Sequence, residues 1–186
     1  LHEKDITKLN WKPFDLDFVI EATGKHKTED LLQHHIKNGA KRVILSVPPD
    51  DNEIKTVVLG VNESILNGSE LIVSNASCTT NNAAPMVKII DELCGLDKAF
   101  ITTVHSYTTD QSLHDQPHKD LRRARGAAQS IIPTTTGAAL AVSKVLPQLK
   151  GKLDGFSMRV PTPNVSCVDL VAELNTDVTL ESLNGA

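Results

Sequence analysis

Aromatic side chains are nearly missing from this chain. One Trp, one Tyr and four Phe are all that 186 residues hold, and none interleaves with the basic residues at 118–125, which weakens a nucleic-acid patch there, because such patches use aromatic stacking. Cysteine is scarce too: Cys78, Cys94 and Cys167 form an odd set whose spacing matches neither a disulfide framework nor a metal site. That usage fits a reducing compartment, so the cytoplasm is the expected location, and the Asn-x-Ser triplets at Asn62, Asn67, Asn75 and Asn164 are chance matches. No apolar run is long enough to span a bilayer, and no signal-peptide pattern opens the chain. Charge of one sign is not in excess either. The formal net charge of -4 offers nothing global to nucleic acid or to an anionic membrane. Repeats and low-complexity tracts are missing, and the length suits one or two domains.

What is present centres on Ser74-Asn75-Ala76-Ser77-Cys78-Thr79-Thr80-Asn81-Asn82. The apolar run Leu71-Ile72-Val73 before it reads as a strand. The periodic positions Ala84, Met86, Val87, Ile89, Ile90 and Leu93 after it read as a helix that stops at Gly95. Cys78 is therefore expected at a strand-to-helix turn, near the positive end of a helix dipole and beside unpaired N–H groups, where a cysteine pKa is depressed. The Ser, Thr and Asn around it suit helix capping and anion binding. The plain alternative is a small buried cysteine next to an N-cap.

Along the first half, residues 16–24 read as a buried strand running into a Gly turn, residues 28–38 as a helix stopped by Gly39, and residues 42–47 as a strand ended by Pro48-Pro49. Residues 56–60 read as a further short strand. Strand, helix, strand at this spacing is a βαβ unit with a parallel sheet, and ligands bind beyond the carboxyl ends of such strands. Thr23, Gly24, Ser46 and Cys78 all fall at those ends. The second half changes character. Residues 99–107 read as a strand with His105 near its end, and residues 108–126 show no sustained period, which in a compact domain marks a functional or disordered connection. Residues 138–146 read as a helix ended by Pro147. Residues 156–161 and 165–174 read as strands of an antiparallel or mixed sheet, because few crossover helices separate them. The expected fold is α/β: a dinucleotide-binding domain of the Rossmann type over residues 1–77, lacking its first βαβ unit, and an α+β catalytic domain over residues 78–186. Both ends read as cut. Leu1 is not Met, and Ala186 comes just after a helix start capped by Thr179, so the chain is expected to be a segment of a longer protein and to fold poorly alone.

A Cys–His pair is the minimum for making and using a thiolate near neutral pH, and His105 is the candidate partner, although six other histidines dilute the signal. Lys119, Arg122, Arg123 and Arg125, with His118, form a basic cluster that reads as a solvated face, a nucleic-acid patch or a phosphate site. The last gains from Thr134-Thr135-Thr136-Gly137, hydroxyls and a Gly directly before a helix. Arg159 lies inside an otherwise apolar strand and needs a partner there, for which a phosphate or carboxylate would serve.

These stretches together resemble the phosphorylating glyceraldehyde-3-phosphate dehydrogenase family. The resemblance is carried by residues 74–81, His105-Ser106-Tyr107-Thr108, residues 120–125, Ile131 to Ala139 and Met158-Arg159-Val160-Pro161-Thr162-Pro163-Asn164-Val165-Ser166, in the family's order and spacing. It implies that Cys78 is the nucleophile and His105 its base. Thr108 and Arg159 would hold a substrate phosphate. Ser77, Thr79, Thr136, Gly137 and Arg123, with Arg122 as the fallback, would hold the attacking inorganic phosphate. Thr23, Gly24 and Ser46 would line the groove for NAD, with NADP left open. Glyceraldehyde 3-phosphate and phosphate are the implied substrates, and a homotetramer the implied assembly, with no membrane and no nucleic acid as a primary partner and no metal. Three features depart from the family pattern. Asn82 stands where a second Cys is common, Lys25-His26-Lys27 replaces an aromatic-containing turn, and Pro48-Pro49-Asp50-Asp51 is unusual. Pro117 resembles the NAD type. The rival readings are erythrose-4-phosphate dehydrogenase, a cysteine hydrolase or acyltransferase using Cys78 and His105, and a non-catalytic module that binds nucleic acid or a partner.

Overall fold

Alternate residues of Phe18-Val19-Ile20-Glu21 face in and out, the two-residue period of a strand with one covered face. In the computed structural model, which describes residues 3–186, this stretch is β1 (Phe18–Glu21), and α1 (Glu29–Lys37), β2 (Arg42–Leu45), β3 (Lys55–Thr56) and β4 (Ile72–Ser74) follow it. The four strands form one sheet in the order β1-β2-β4-β3, and every pair in it is parallel. Leu32 on α1 packs on Val43 and Leu45 of β2, Ile72 of β4 and Ile54, with Ile36 and Val47 at the edge. Each of the fully buried leucines contributes on the order of 1.5–3 kcal/mol. The expected strand over 56–60 is cut to two residues. Its backbone turns because Asn62 Oδ1 accepts from Val58 N at 2.8 Å and its amide donates to Thr56 O at 2.9 Å, a side chain replacing the strand ladder.

The chain divides into two compact units, residues 1–81 and 82–186. The helix α2 (Cys78–Cys94) runs across that division, and Gly95, at φ 68°, ends it in the left-handed conformation a helix stop requires. The second unit then holds β5 (Leu96–Ser106), β6 (Ile132–Thr134), α3 (Ala138–Val145), β7 (Leu153–Val160), β8 (Ser166–Leu174) and α4 (Leu180–Gly185). Its sheet has the order β6-β7-β5-β8. β5 pairs parallel with β7 and antiparallel with β8, and β6 pairs antiparallel with β7, so the sheet is mixed, as the strand spacing implied. α3 supplies the crossover that a parallel β5–β7 pair needs. β6 is a strand the sequence pattern did not announce, being three residues with Pro133 in the middle. Thr179 caps α4, its hydroxyl accepting from Ser182 N.

The turn from β4 into α2 is held by Ser74, which is fully buried. Its Oγ donates to Val47 O at 2.8 Å and accepts from Ala76 N at 3.1 Å. Ala76, also fully buried, sits at φ 57°, a left-handed conformation that costs a non-glycine residue on the order of 1–2 kcal/mol. Ser74→Ala leaves a buried N–H and a part-buried carbonyl without that partner. Chemical unfolding of the full-length protein is expected to show a loss of about 1–3 kcal/mol. An unchanged midpoint would mean that the turn holds itself.

Candidate active site

Cys78 is the first residue of α2 and is exposed. The capping pattern around it is local. Ser77 Oγ accepts from Thr80 N at 3.1 Å and lies 2.7 Å from Thr80 Oγ1, as an N-cap serine does three residues ahead of its donor. Asn81 Nδ2 donates to Asn75 O at 2.7 Å and to Ser77 O at 3.0 Å, closing the turn from the other side. Thr79 Oγ1 lies 4.0 Å from the sulfur. The structure thus puts Ser77, Cys78 and Thr79 on the opening turn of a 17-residue helix, where N–H groups lack intrahelical partners and the dipole favours negative charge.

Thr23 and Gly24 follow the carboxyl end of β1, and Ser46 follows that of β2. Ser46 N donates to Glu21 O at 3.0 Å, which ties the two strand ends together. Gly24 has φ 70°, and a Cβ built on it would meet nothing within 4 Å. Backbone that bare at the end of a parallel strand fits close approach by a nucleotide. Two of the departures from the family pattern meet here. Lys27 Nζ donates to Asp50 Oδ1 at 2.8 Å, Asp50 N donates to Lys27 O at 3.0 Å, and Asp51 Oδ2 accepts from Glu29 N at 2.7 Å. Thr28 makes no side-chain cap of its own, so Asp51 caps α1 from the Pro48–Asp51 segment, and the two unusual turns brace each other.

In the second unit, the parallel register sets His105 of β5 directly beside Arg159 of β7. Arg159 Nη1 is 2.8 Å from His105 Nδ1 and donates to Ser106 O at 2.9 Å, and His105 Nδ1 is 2.7 Å from the same carbonyl. Nδ1 thus faces a guanidinium that only donates and a carbonyl that only accepts: bare, it accepts from Arg159; protonated, it donates to Ser106 O, gives up the Arg159 contact and leaves Nε2 as the basic nitrogen. The guanidinium in the apolar strand is thus met by a ring nitrogen and a carbonyl, and its charge also reaches Asp110.

Asp110 is the hub that the sequence reading missed. The Thr108 hydroxyl donates to Oδ1, and Arg123 Nη1 donates to Oδ2 at 2.7 Å. Burial pushes the Asp110 carboxyl up, but the Thr108 bond and the charges of Arg123 and Arg159 outweigh it and hold the group below the usual carboxylate range. Arg123 Nε donates to Thr134 Oγ1 at 2.8 Å, and that hydroxyl donates to Asp120 Oδ2 at 3.0 Å. Two of the five guanidinium N–H groups of Arg123 are used by these bonds. Its side chain is 20% exposed, against 56% for Arg122, which bonds only its near neighbour Asp120 among the described contacts. Asp110 was legible only as the acidic member of Thr108-Thr109-Asp110, two residues past a site threonine. Thr136 and Gly137 come directly before α3, with Ala138 N donating to Thr136 Oγ1 at 3.1 Å and Gly137 at the N-cap. Among the described residues, no group of three His, Cys, Asp or Glu could hold a metal ion, and no helix is long and apolar enough to cross a membrane.

Residues 77–186 match the family profile described as glyceraldehyde 3-phosphate dehydrogenase, C-terminal domain. All of the chain aligns at 56% identity with glyceraldehyde-3-phosphate dehydrogenase 2 of Bacillus subtilis (strain 168), covering 55% of that protein. It is 54% identical to glyceraldehyde-3-phosphate dehydrogenase of Geobacillus stearothermophilus over 99% of its length, and 51% identical over its whole length to that of Streptomyces coelicolor, again covering 55% of each. The chain spans about half the length of the curated relatives it matches.

Proposed function

Because the chain belongs to the glyceraldehyde-3-phosphate dehydrogenase family, we propose that the full-length protein oxidises glyceraldehyde 3-phosphate and phosphorylates the product to 1,3-bisphosphoglycerate. The observation that carries this reading beyond the family is the cluster in the second unit, where His105 and Arg159 lie side by side and Thr108, Asp110 and Arg123 are bonded together. A base, two guanidinium groups and hydroxyls in one polar cluster suit a phosphorylated aldehyde.

The roles follow from the chemistry of each group. Cys78 Sγ adds to the aldehyde carbon, forming a C–S bond and a thiohemiacetal. His105 Nε2 takes the hydroxyl proton as the carbon is oxidised to a thioester. Nicotinamide dinucleotide, NAD in the first instance, supplies the hydride acceptor, with Thr23, Gly24 and Ser46 holding it. Inorganic phosphate then attacks the thioester carbonyl; a C–O bond forms, the C–S bond breaks and the cysteine is restored. Thr108 and Arg159 hold the substrate phosphate. Ser77, Thr79, Thr136, Gly137 and Arg123 hold the attacking one, and the anchoring of Arg123 by Thr134 and Asp110 supports it over Arg122. A cytoplasmic homotetramer completes the proposal, by likeness to the family. No observation favours erythrose 4-phosphate as substrate, a hydrolase or a binding module.

The test follows nicotinamide reduction with glyceraldehyde 3-phosphate, with and without inorganic phosphate. Sustained turnover is expected only with phosphate, and turnover indifferent to phosphate would remove the second anion site. Arg123→Ala is expected to raise the KM for phosphate about tenfold or more and Arg122→Ala less than about threefold, as a part-buried charge-assisted contact and an exposed one differ. The reverse order would reassign the site to Arg122.

A further inference from the structure

Glu21 occupies an inward position of β1 and is 4% exposed, in a place where an unpaired carboxylate would be too costly to keep. Its partners account for it. Oε1 accepts from Thr23 N at 2.8 Å and also from the Thr23 hydroxyl, and Oε2 lies 3.1 Å from His35 Nε2. His35, on α1, is 3% exposed, and its Nδ1 receives the indole N–H of Trp11 at 3.1 Å. An indole N–H only donates. It therefore requires a bare Nδ1 on His35, which puts the ring proton on Nε2, pointing at Glu21. The tautomer is set by Trp11, and the result is a one-way chain of donors: Trp11 to His35 to Glu21, with Thr23 donating twice to the far oxygen. Burial pushes the Glu21 carboxyl up, but the Thr23 and His35 bonds outweigh it and hold it below its ordinary value.

The consequence lies at Thr23. Its N–H and its hydroxyl hydrogen are both committed to Glu21, and its Oγ1 accepts from Lys25 N at 3.2 Å. The turn Thr23-Gly24-Lys25 is thereby fixed from beneath, with Gly24 left bare on the outside. We propose that Trp11, His35 and Glu21 are positioning residues that pre-form the Thr23–Gly24 turn for a dinucleotide, so that the tautomer of a buried histidine sets cofactor affinity. The proposal rests on the reading of Thr23 and Gly24 as cofactor-holding residues. Pre-forming the turn removes an ordering cost from binding.

The test is a direct titration of the full-length protein with NAD and with NADP, read as Kd, beside steady-state kinetics. Glu21→Gln offers His35 an amide N–H where it had an acceptor, so the ring is trapped between two donors. Its Kd is expected to rise about tenfold, the cost of one misplaced buried hydrogen bond, with KM for the dinucleotide following and kcat at saturation changing far less. Trp11→Phe keeps the ring and removes only the N–H, and is expected to raise Kd about threefold. The pair distinguishes positioning from general damage. In the double variant His35 is free to turn its proton toward the former indole and accept from the glutamine amide, so Kd should recover toward that of Trp11→Phe rather than multiply to about thirtyfold. If Glu21→Gln does not fold, Trp11→Phe carries the test alone. Unchanged Kd in folded variants, or multiplicative loss in the double variant, overturns the relay while the cofactor reading stands. A wild-type protein that binds neither dinucleotide overturns that reading, and the relay with it.

Discussion

Cys78→Ser in the full-length protein is expected to abolish phosphate-dependent nicotinamide reduction, by about 10⁴-fold or more, as removal of a covalent nucleophile does. Two effects add. A serine hydroxyl at the same place is a far weaker nucleophile near neutral pH. An oxygen ester in place of the thioester would also hand its acyl group to phosphate much less readily. The position itself is forgiving, because Cys78 is exposed at the first residue of α2 and the cap is made by Ser77 and Thr80. The unfolding free energy should therefore change by no more than about 0.5 kcal/mol, as for surface substitutions generally. Activity measured beside a thermal melt checks both halves. Residual turnover above about one-tenth of wild type, in a range no impurity explains, would assign the nucleophile elsewhere.

Arg159→Leu is expected to produce the second-largest loss, about 10³-fold in kcat/KM for glyceraldehyde 3-phosphate. The side chain has two duties that separate experimentally. It touches His105 Nδ1 and Ser106 O, so its loss frees the ring proposed as the base. On the proposed mechanism it also grips the substrate phosphate. Unphosphorylated glyceraldehyde uses only the first duty. The preference for the phosphorylated substrate should therefore collapse in the variant, because the larger part of the loss falls on the substrate that carries the phosphate. Equal losses for both substrates would assign Arg159 to the histidine alone. Arg159→Lys keeps the charge without the planar fork and should fall between wild type and Arg159→Leu.

These outcomes depend on elements that differ in how openly the sequence displays them. The turn that presents Cys78 was readable in advance: an apolar run, small polar residues and a periodic segment ending in Gly produce strand, cap and helix by local rules, and β4, Ser77 and α2 follow them. The parallel first sheet was readable for the same reason, since two strands joined by a helix have one common solution. β6 was not, because three residues around Pro133 have no period of their own and become a strand only against β7. Asp110 was hidden as one more acid in a polar stretch. Its meaning comes from partners two and thirteen residues away, and the second distance is set by a loop without regular structure.

By itself the sequence determined which residues are candidates for the chemistry and which short elements carry them, because helix caps, strand periods and the Cys, His and Arg in their order are local properties. Tertiary structure alone decided the pairings. His105 meets Arg159 because β5 and β7 run parallel in one register, and His35 meets both Glu21 and Trp11 because α1 packs against β1 and the segment before it. Those bonds join residues far apart in the chain, and only the burial that brings them together makes an unpartnered carboxylate or ring nitrogen costly enough to fix their directions.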